Sequence, residues 1–148
     1  MQNYEFLKNG VEIFKPFRPS SSSMSKETMQ LYAEAEINKS EFTISEGNIQ
    51  YFHNLAKLCK EKGTKLYVVM APMYDVYIDS INYSSRADKI AELAQEEEVL
   101  YLDCNTYYDR IGLNSQDFED AYNAAIHLND SGAEKVTRFI LEELYEKK

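Results

Sequence analysis

Leu66-Tyr67-Val68-Val69-Met70-Ala71-Pro72 is the stretch on which the fold turns. Apolar residues run from Leu66 to Ala71 without a polar break and stop at a proline. A half-wet strand alternates polar and apolar side chains, so an unbroken run predicts a strand covered on both faces, as in a parallel sheet. Upstream, Thr43-Ile44-Ser45-Glu46 has capping-box spacing, in which side chains satisfy the first free amides of a helix. Ile49, Phe52, Leu55, Ala56 and Cys59 then recur at helical spacing, and Gly63 suits a left-handed C-terminal cap. The predicted helix runs over 48–62. Downstream comes a loop with a helical turn over 74–80. Ser85 and Asp88 repeat the capping spacing and open a helix striped by Ala87, Ile90, Ala91, Leu93 and Ala94. Val99-Leu100-Tyr101-Leu102 is a second short apolar strand. A long loop leads to Ser131-Gly132-Ala133-Glu134, a third capping box. The last helix carries Ala133, Val136, Ile140, Leu141 and Leu144 on one face.

Helix, strand, helix, strand, helix is the order of an α/β layered domain with a small parallel sheet flanked by helices. The unit from Leu66 to Asp103 reads as a right-handed βαβ crossover. The amino-terminal part differs. Tyr4-Glu5-Phe6-Leu7 and Val11-Glu12-Ile13-Phe14 flank Lys8-Asn9-Gly10, and Asn-Gly favours the tight turn of a β-hairpin. Pro16, Pro19 and the run Ser20 to Ser23 read as an exposed loop. A short helix follows from Lys26 to Glu36, with Met29, Tyr32, Ala33 and Ile37 toward one side. The chain is thus one domain over 1–148, with hairpin, serine-rich loop and helix in 1–44 and the layered unit in 45–148. Two strands cannot bury three amphipathic helices, because small sheets are marginal. Glu5, Lys8 and Glu12 give the hairpin one wet face. Either the hairpin joins the sheet edge, or a partner supplies strands, or the chain is part of a larger domain.

The composition narrows the function classes. The 148 residues hold 25 acidic and 16 basic side chains, a net charge of −9. Binding to a phosphate backbone or an anionic membrane surface needs clustered Lys and Arg, so no nucleic-acid partner is expected. No apolar run reaches membrane-spanning length, and MQNYEFLKNG lacks the form of a signal peptide. A chain that starts at Met1 would stay in the cytoplasm. An upstream part with a secretion signal would place it outside or in the envelope. Cys59 and Cys104 cannot make a disulfide framework and read as reduced core thiols. No His, Cys, Asp or Glu pair has metal-ligand spacing with a second pair to complete it, so no metal and no cofactor are expected.

The residues that can carry chemistry stand in Ala124-Ala125-Ile126-His127-Leu128-Asn129-Asp130-Ser131-Gly132-Ala133. A histidine just before a capped helix, after the last strand, is placed for a site beyond the strand ends. It can equally serve only to cap the helix or hold the loop. His-Leu-Asn-x-x-Gly-Ala leading into a terminal amphipathic helix resembles the final block of SGNH (GDSL-type) hydrolases. The helix from Asn48, the strand ending in Ala71-Pro72, the Ile90 helix and the Tyr101-Leu102-Asp103 strand follow in the order of that family's carboxyl half. The resemblance covers 45–148, and the hairpin with its serine-rich loop resembles a middle insertion of a bacterial subgroup.

The resemblance implies a partial flavodoxin-like sheet and Ser-His-Asp acyl chemistry, with His127 as general base. It also implies an aspartate three residues before His127. That position is Ala124; the nearest acids are Asp120, Glu119 and Asp117, and Asp120 could substitute if the loop folds back. No Gly-Asp-Ser nucleophile block and no Gly-x-Asn-Asp oxyanion block occur. Gly47-Asn48 is a fragment of the latter, better read as a helix start. The chain then resembles the second half of an esterase or acyl-transfer enzyme and is inactive alone. Its substrate, once the missing strands are supplied, would be an acyl ester or acylated carbohydrate.

Other residues have competing readings. His53 reads as a core-flanking histidine. Asp117, Glu119 and Asp120 read as a solvated acidic loop, and Glu96-Glu97-Glu98 as solvent-facing, since its charge opposes the helix dipole. Tyr74, Tyr77, Tyr101, Tyr107 and Tyr108 lie at the strand ends, where they line a ligand pocket with Asn129 or bury an interface or core. The second functional reading is therefore a binding or assembly module that pairs through an uncovered sheet edge, with a second copy or with a missing amino-terminal half.

Overall fold

The computed structural model describes residues 6–8, 11–13, 20–34, 41–120 and 127–146. In chain order the elements are β1 (Phe6–Lys8), β2 (Val11–Ile13), α1 (Lys26–Ala33), α2 (Glu46–Glu61), β3 (Tyr67–Met70), α3 (Asp75–Ser80), α4 (Tyr83–Glu96), β4 (Leu100–Asp103), α5 (Tyr108–Ile111) and α6 (Asp130–Leu141). The fold is mixed α/β and mostly helical. β3 and β4 pair in parallel, with Tyr67 opposite Leu100 and Met70 opposite Asp103. β1 and β2 pair antiparallel with each other, and among the described residues they share no ladder with β3 and β4. Asn9-Gly10 lies outside the described residues.

Helix starts follow the short polar residues, though not the ones the spacing selects. Ser45, not Thr43, caps α2, its Oγ accepting from Asn48 N at 3.3 Å. Asn82 caps α4, so that helix begins before Ser85. Asn129 caps α6, its Oδ1 accepting from Gly132 N at 3.1 Å. Several polar side chains crowd each start; Ser45 and Asn129 stand in the extended backbone typical of a cap, and Asn82 at φ −81°, ψ 70°. Gly63 closes α2 as expected, with φ +64° and its N–H on the Lys60 carbonyl. α1 stops at Ala33 with Glu34 as its cap; Ile37 lies outside the described residues.

Successive strand residues alternate between faces, so Leu102 shares a face with Leu100, Tyr67 and Val69. Leu102 and Cys104 pack there with Ile111, Leu113, Val136, Phe139 and Leu144. On α6 the buried positions are Gly132, Val136 and Phe139, whereas Leu141 points away and is half exposed. A single π turn over Glu142–Glu146 continues the helix, and Leu144 within it is buried. The second core cluster is Met24, Tyr32, Tyr74 and Phe118, and Tyr108 and Leu128 pack against both. Burial pushes the Cys104 thiol up to about 11, with Asp103 adding to it.

The other side of the sheet is thin. The only buried residues of α2 and α4 are Ala56 and Ala94. On the Leu102 face itself, Val69 is 37% exposed and Leu100 51%, so that face is only partly sealed as well. Two short strands present more flank than the helices beside them cover. The Glu96 to Glu98 run is not simply solvated. His53 Nδ1 lies 2.7 Å from Glu97 Oε1, and Lys60 Nζ lies 3.5 Å from Glu98 Oε2. These ties fasten the end of α4 to α2, and Lys60 brings a positive charge that the last turn of α4 itself lacks. No helix among the described residues is long and apolar enough to cross a membrane.

Candidate functional site

The strand ends are locked by Asp103, the last residue of β4. Its Oδ1 accepts from Asn105 N at 3.0 Å and Asn105 Nδ2 at 2.9 Å, and the Tyr83 hydroxyl donates to its Oδ2. Asn105 in turn accepts from Met73 N at 2.8 Å and donates to the Ala71 carbonyl at 3.3 Å. One buried carboxylate thereby joins the ends of both strands and the start of α4. Burial, then Asp103, pushes the Tyr83 hydroxyl up, so it stays a donor at neutral pH.

The described part of the long loop after β4 is held by its own hydrogen bonds. After α5, a 3₁₀ turn over Ser115–Asp117 is capped by Asn114. Phe118 then bridges Leu128 in antiparallel fashion, Glu119 N donates to the His127 carbonyl at 3.0 Å, and Asn129 N donates to the Asp117 carbonyl at 3.0 Å. Phe118 is fully buried, 5.8 Å from the Tyr74 ring and stacked 6.3 Å from Tyr108. Tyr74 follows β3 and Tyr108 follows β4. The short ladder carrying His127 therefore sits beyond the carboxyl ends of the strands, where open α/β sheets place their sites.

On this ladder the His127 side chain is 60% exposed, and its Nδ1 lies 3.8 Å from Oε2 of Glu119, whose side chain is 23% exposed. The carboxylate beside His127 is thus Glu119. Asp120, the residue expected there, is used elsewhere: its Oδ1 accepts from Ser25 N at 2.9 Å and Thr28 Oγ1 at 2.8 Å. Those bonds, the Ser25 amide first, hold its carboxyl below the ordinary value. Ala124 lies outside the described residues.

The acidic loop is likewise not a solvated cluster. Asp117 is 1% exposed and takes Lys135 Nζ and Ser131 Oγ, each at 2.8 Å, and Asn114 N at 3.0 Å. Burial works against its charge, but Lys135, Ser131 and Asn114 outweigh it and lower its pKa. The Asn129 side chain is likewise engaged within the fold. Besides capping α6, its Nδ2 donates to the carbonyls of Ser22 and Gln116 at 2.8 and 2.7 Å.

The tyrosines divide. Tyr74 is a core residue, packed edge-on against Tyr32, and burial raises its hydroxyl pKa. Tyr77 packs on Tyr32 as well. Tyr108 lies between the two clusters, with its hydroxyl buried beside Asp75. Tyr107 is partly exposed and covers Phe139 at 5.1 Å. Tyr101 donates to the Met70 sulfur at 3.2 Å. For these residues the core reading fits the contacts better than a pocket rim.

The serine-rich segment is exposed as expected, yet it is stitched along the ladder. Ser20 and Asp130 exchange bonds of 3.0 and 2.8 Å, and Ser23 Oγ donates to the Gln116 carbonyl at 3.1 Å. Sequence reasoning missed this strap, the Asp103–Asn105 lock and the Glu119–His127 pair. Only the local Asp103-x-Asn105 spacing offered a signal, since the strap joins residues far apart in the chain and the pair is set by the Phe118–Leu128 bridge. Among the described residues, no three of His, Cys, Asp or Glu are gathered to hold a metal ion.

The chain matches no protein-family model, no curated protein and no solved structure.

Proposed function

We propose that this chain is the carboxyl half of an SGNH (GDSL-type) hydrolase-like domain, of esterase or acyl-transfer ancestry, with no esterase activity of its own. The observation that carries the reading is His127 on a short ladder beyond the ends of β3 and β4, two residues before the Asn129 cap of α6. In this reading β3 and β4 are the last two strands of a flavodoxin-like sheet, and β1 with β2 is an appended hairpin. His127 would take the proton from a serine hydroxyl as it attacks an acyl carbonyl. That serine and the oxyanion donors would come from strands outside this chain's two-stranded sheet.

The test is incubation with p-nitrophenyl acetate and butyrate. The expected result is no release of p-nitrophenolate above buffer. Turnover that disappears in His127→Ala would overturn the inactive reading. The ancestry is tested by the genomic sequence upstream of Met1, where an in-frame Gly-Asp-Ser block is expected; an in-frame stop codon directly upstream would count against it.

The exposed Val69 and Leu100, on strands whose outer edges have no ladder partner among the described residues, favour a second reading. There the chain is a non-catalytic assembly module that pairs through the sheet edge with a second copy of itself.

A further inference from the structure

We propose that Glu119 is the positioning carboxylate of His127, doing across the ladder what an acid at Ala124 would do along the chain. This rests on the reading of His127 as a general-base-type residue. Phe118 bridges Leu128, and Glu119 N donates to the His127 carbonyl at 3.0 Å, so 119 and 127 are directly opposed in an antiparallel pair. Opposed residues carry their side chains on the same face, with Cβ atoms about 5 Å apart. A carboxylate on one and an imidazole on the other are therefore neighbours by backbone geometry.

The side chains follow that geometry. Glu119 Oε2 is 3.8 Å from Nδ1, an ion-pair distance rather than a hydrogen bond. In unliganded enzymes such contacts are often long and tighten when the site is completed. Glu119 is the more enclosed partner, which suits a residue that holds another in place. The other two carboxylates of the loop serve different partners: Asp117 holds Lys135 and Ser131, and Asp120 holds Ser25 and Thr28. A carboxylate facing Nδ1 keeps the proton on that nitrogen. Nε2 then carries the free lone pair, the form a general base requires.

Imidazole ¹⁵N NMR of the full chain tests the pairing, at a pH where both rings are neutral. His53 is the other histidine, and His127→Ala assigns the signals. The expected result is a His127 ring protonated mainly on Nδ1, moving to mainly Nε2–H in Glu119→Ala. Glu119→Gln keeps the shape and an acceptor oxygen, so it should fold and retain part of the Nδ1–H form. A wild-type ring protonated mainly on Nε2 would overturn the proposal, as would an unchanged tautomer in Glu119→Ala. The spectrum reports on the pairing alone. An Nδ1-protonated His127 in a gene without a Gly-Asp-Ser block would sink the hydrolase reading and leave the pairing standing.

Discussion

Gly132 shows how closely the last helix approaches the loop that precedes it. A Cβ there would lie 2.3 Å from the Asp117 carbonyl oxygen and 2.8 Å from Leu128 Cδ2. Alanine at this helical position gains about 1 kcal/mol of propensity. Overpacking against a backbone atom costs up to about 3 kcal/mol, so the clash wins. Gly132→Ala is expected to lose about 2 kcal/mol in urea denaturation. Its neighbour Asp117 sets an acid limit. The native carboxyl titrates below its ordinary value of about 4. Its stabilisation is therefore complete above that value and disappears as pH falls through the native pKa. Asp117→Asn should flatten the acid limb of a stability–pH curve. It should also cost about 2 kcal/mol at neutral pH, discounted because Lys135 is partly exposed.

Among the elements, α1 depends on contacts distant in sequence. Ser25 caps it through its own Oγ, and Asp120 binds both the Ser25 amide and the Thr28 hydroxyl. A helix of eight residues is too short to be stable by propensity alone. Asp120→Ala is expected to speed amide exchange across Lys26–Ala33 by on the order of tenfold, with α6 unaffected. Equal acceleration in both helices would mean that Asp120 supports the whole fold rather than this attachment. α2 presents the converse case. Its apolar spacing was plain in the sequence, yet Leu55 of that stripe is about half exposed. Periodicity shows that a helix has an apolar face, and only a facing layer decides whether that face is buried.

For the whole molecule, the distribution of the core matters most. Both clusters meet at Tyr108 and Leu128, close to the His127 ladder, while α2 and α4 bury a single alanine each. The region beyond the strand ends is well supported and the opposite flank is open. If Val69, Leu100 and the strand edges that have no ladder partner among the described residues meet a second copy, sedimentation should show a dimer or larger species at micromolar concentration. A monomer throughout the concentration range would overturn the assembly reading, because an edge that stays unpaired at high concentration is not an interface.

The local features were legible in the residues: the two apolar runs as strands, the glycine after α2 as its stop, and an α/β order ending in an amphipathic helix. Each rests on hydrogen bonds and side-chain spacing within a few residues, which a linear pattern records. His127 could be singled out for the same reason, because it stands just before a helix start. What tertiary structure decided is which groups meet. It gave the place beside His127 to Glu119 and sent Asp120 to α1. It buried Asp117 under α6 and laid the serine-rich strap along the loop. It also left Val69 and Leu100 partly open. A carboxylate is the same in any of these places on paper. Its neighbours are fixed by a two-residue bridge and by packing around Phe118, and neither has a fixed spacing in the chain.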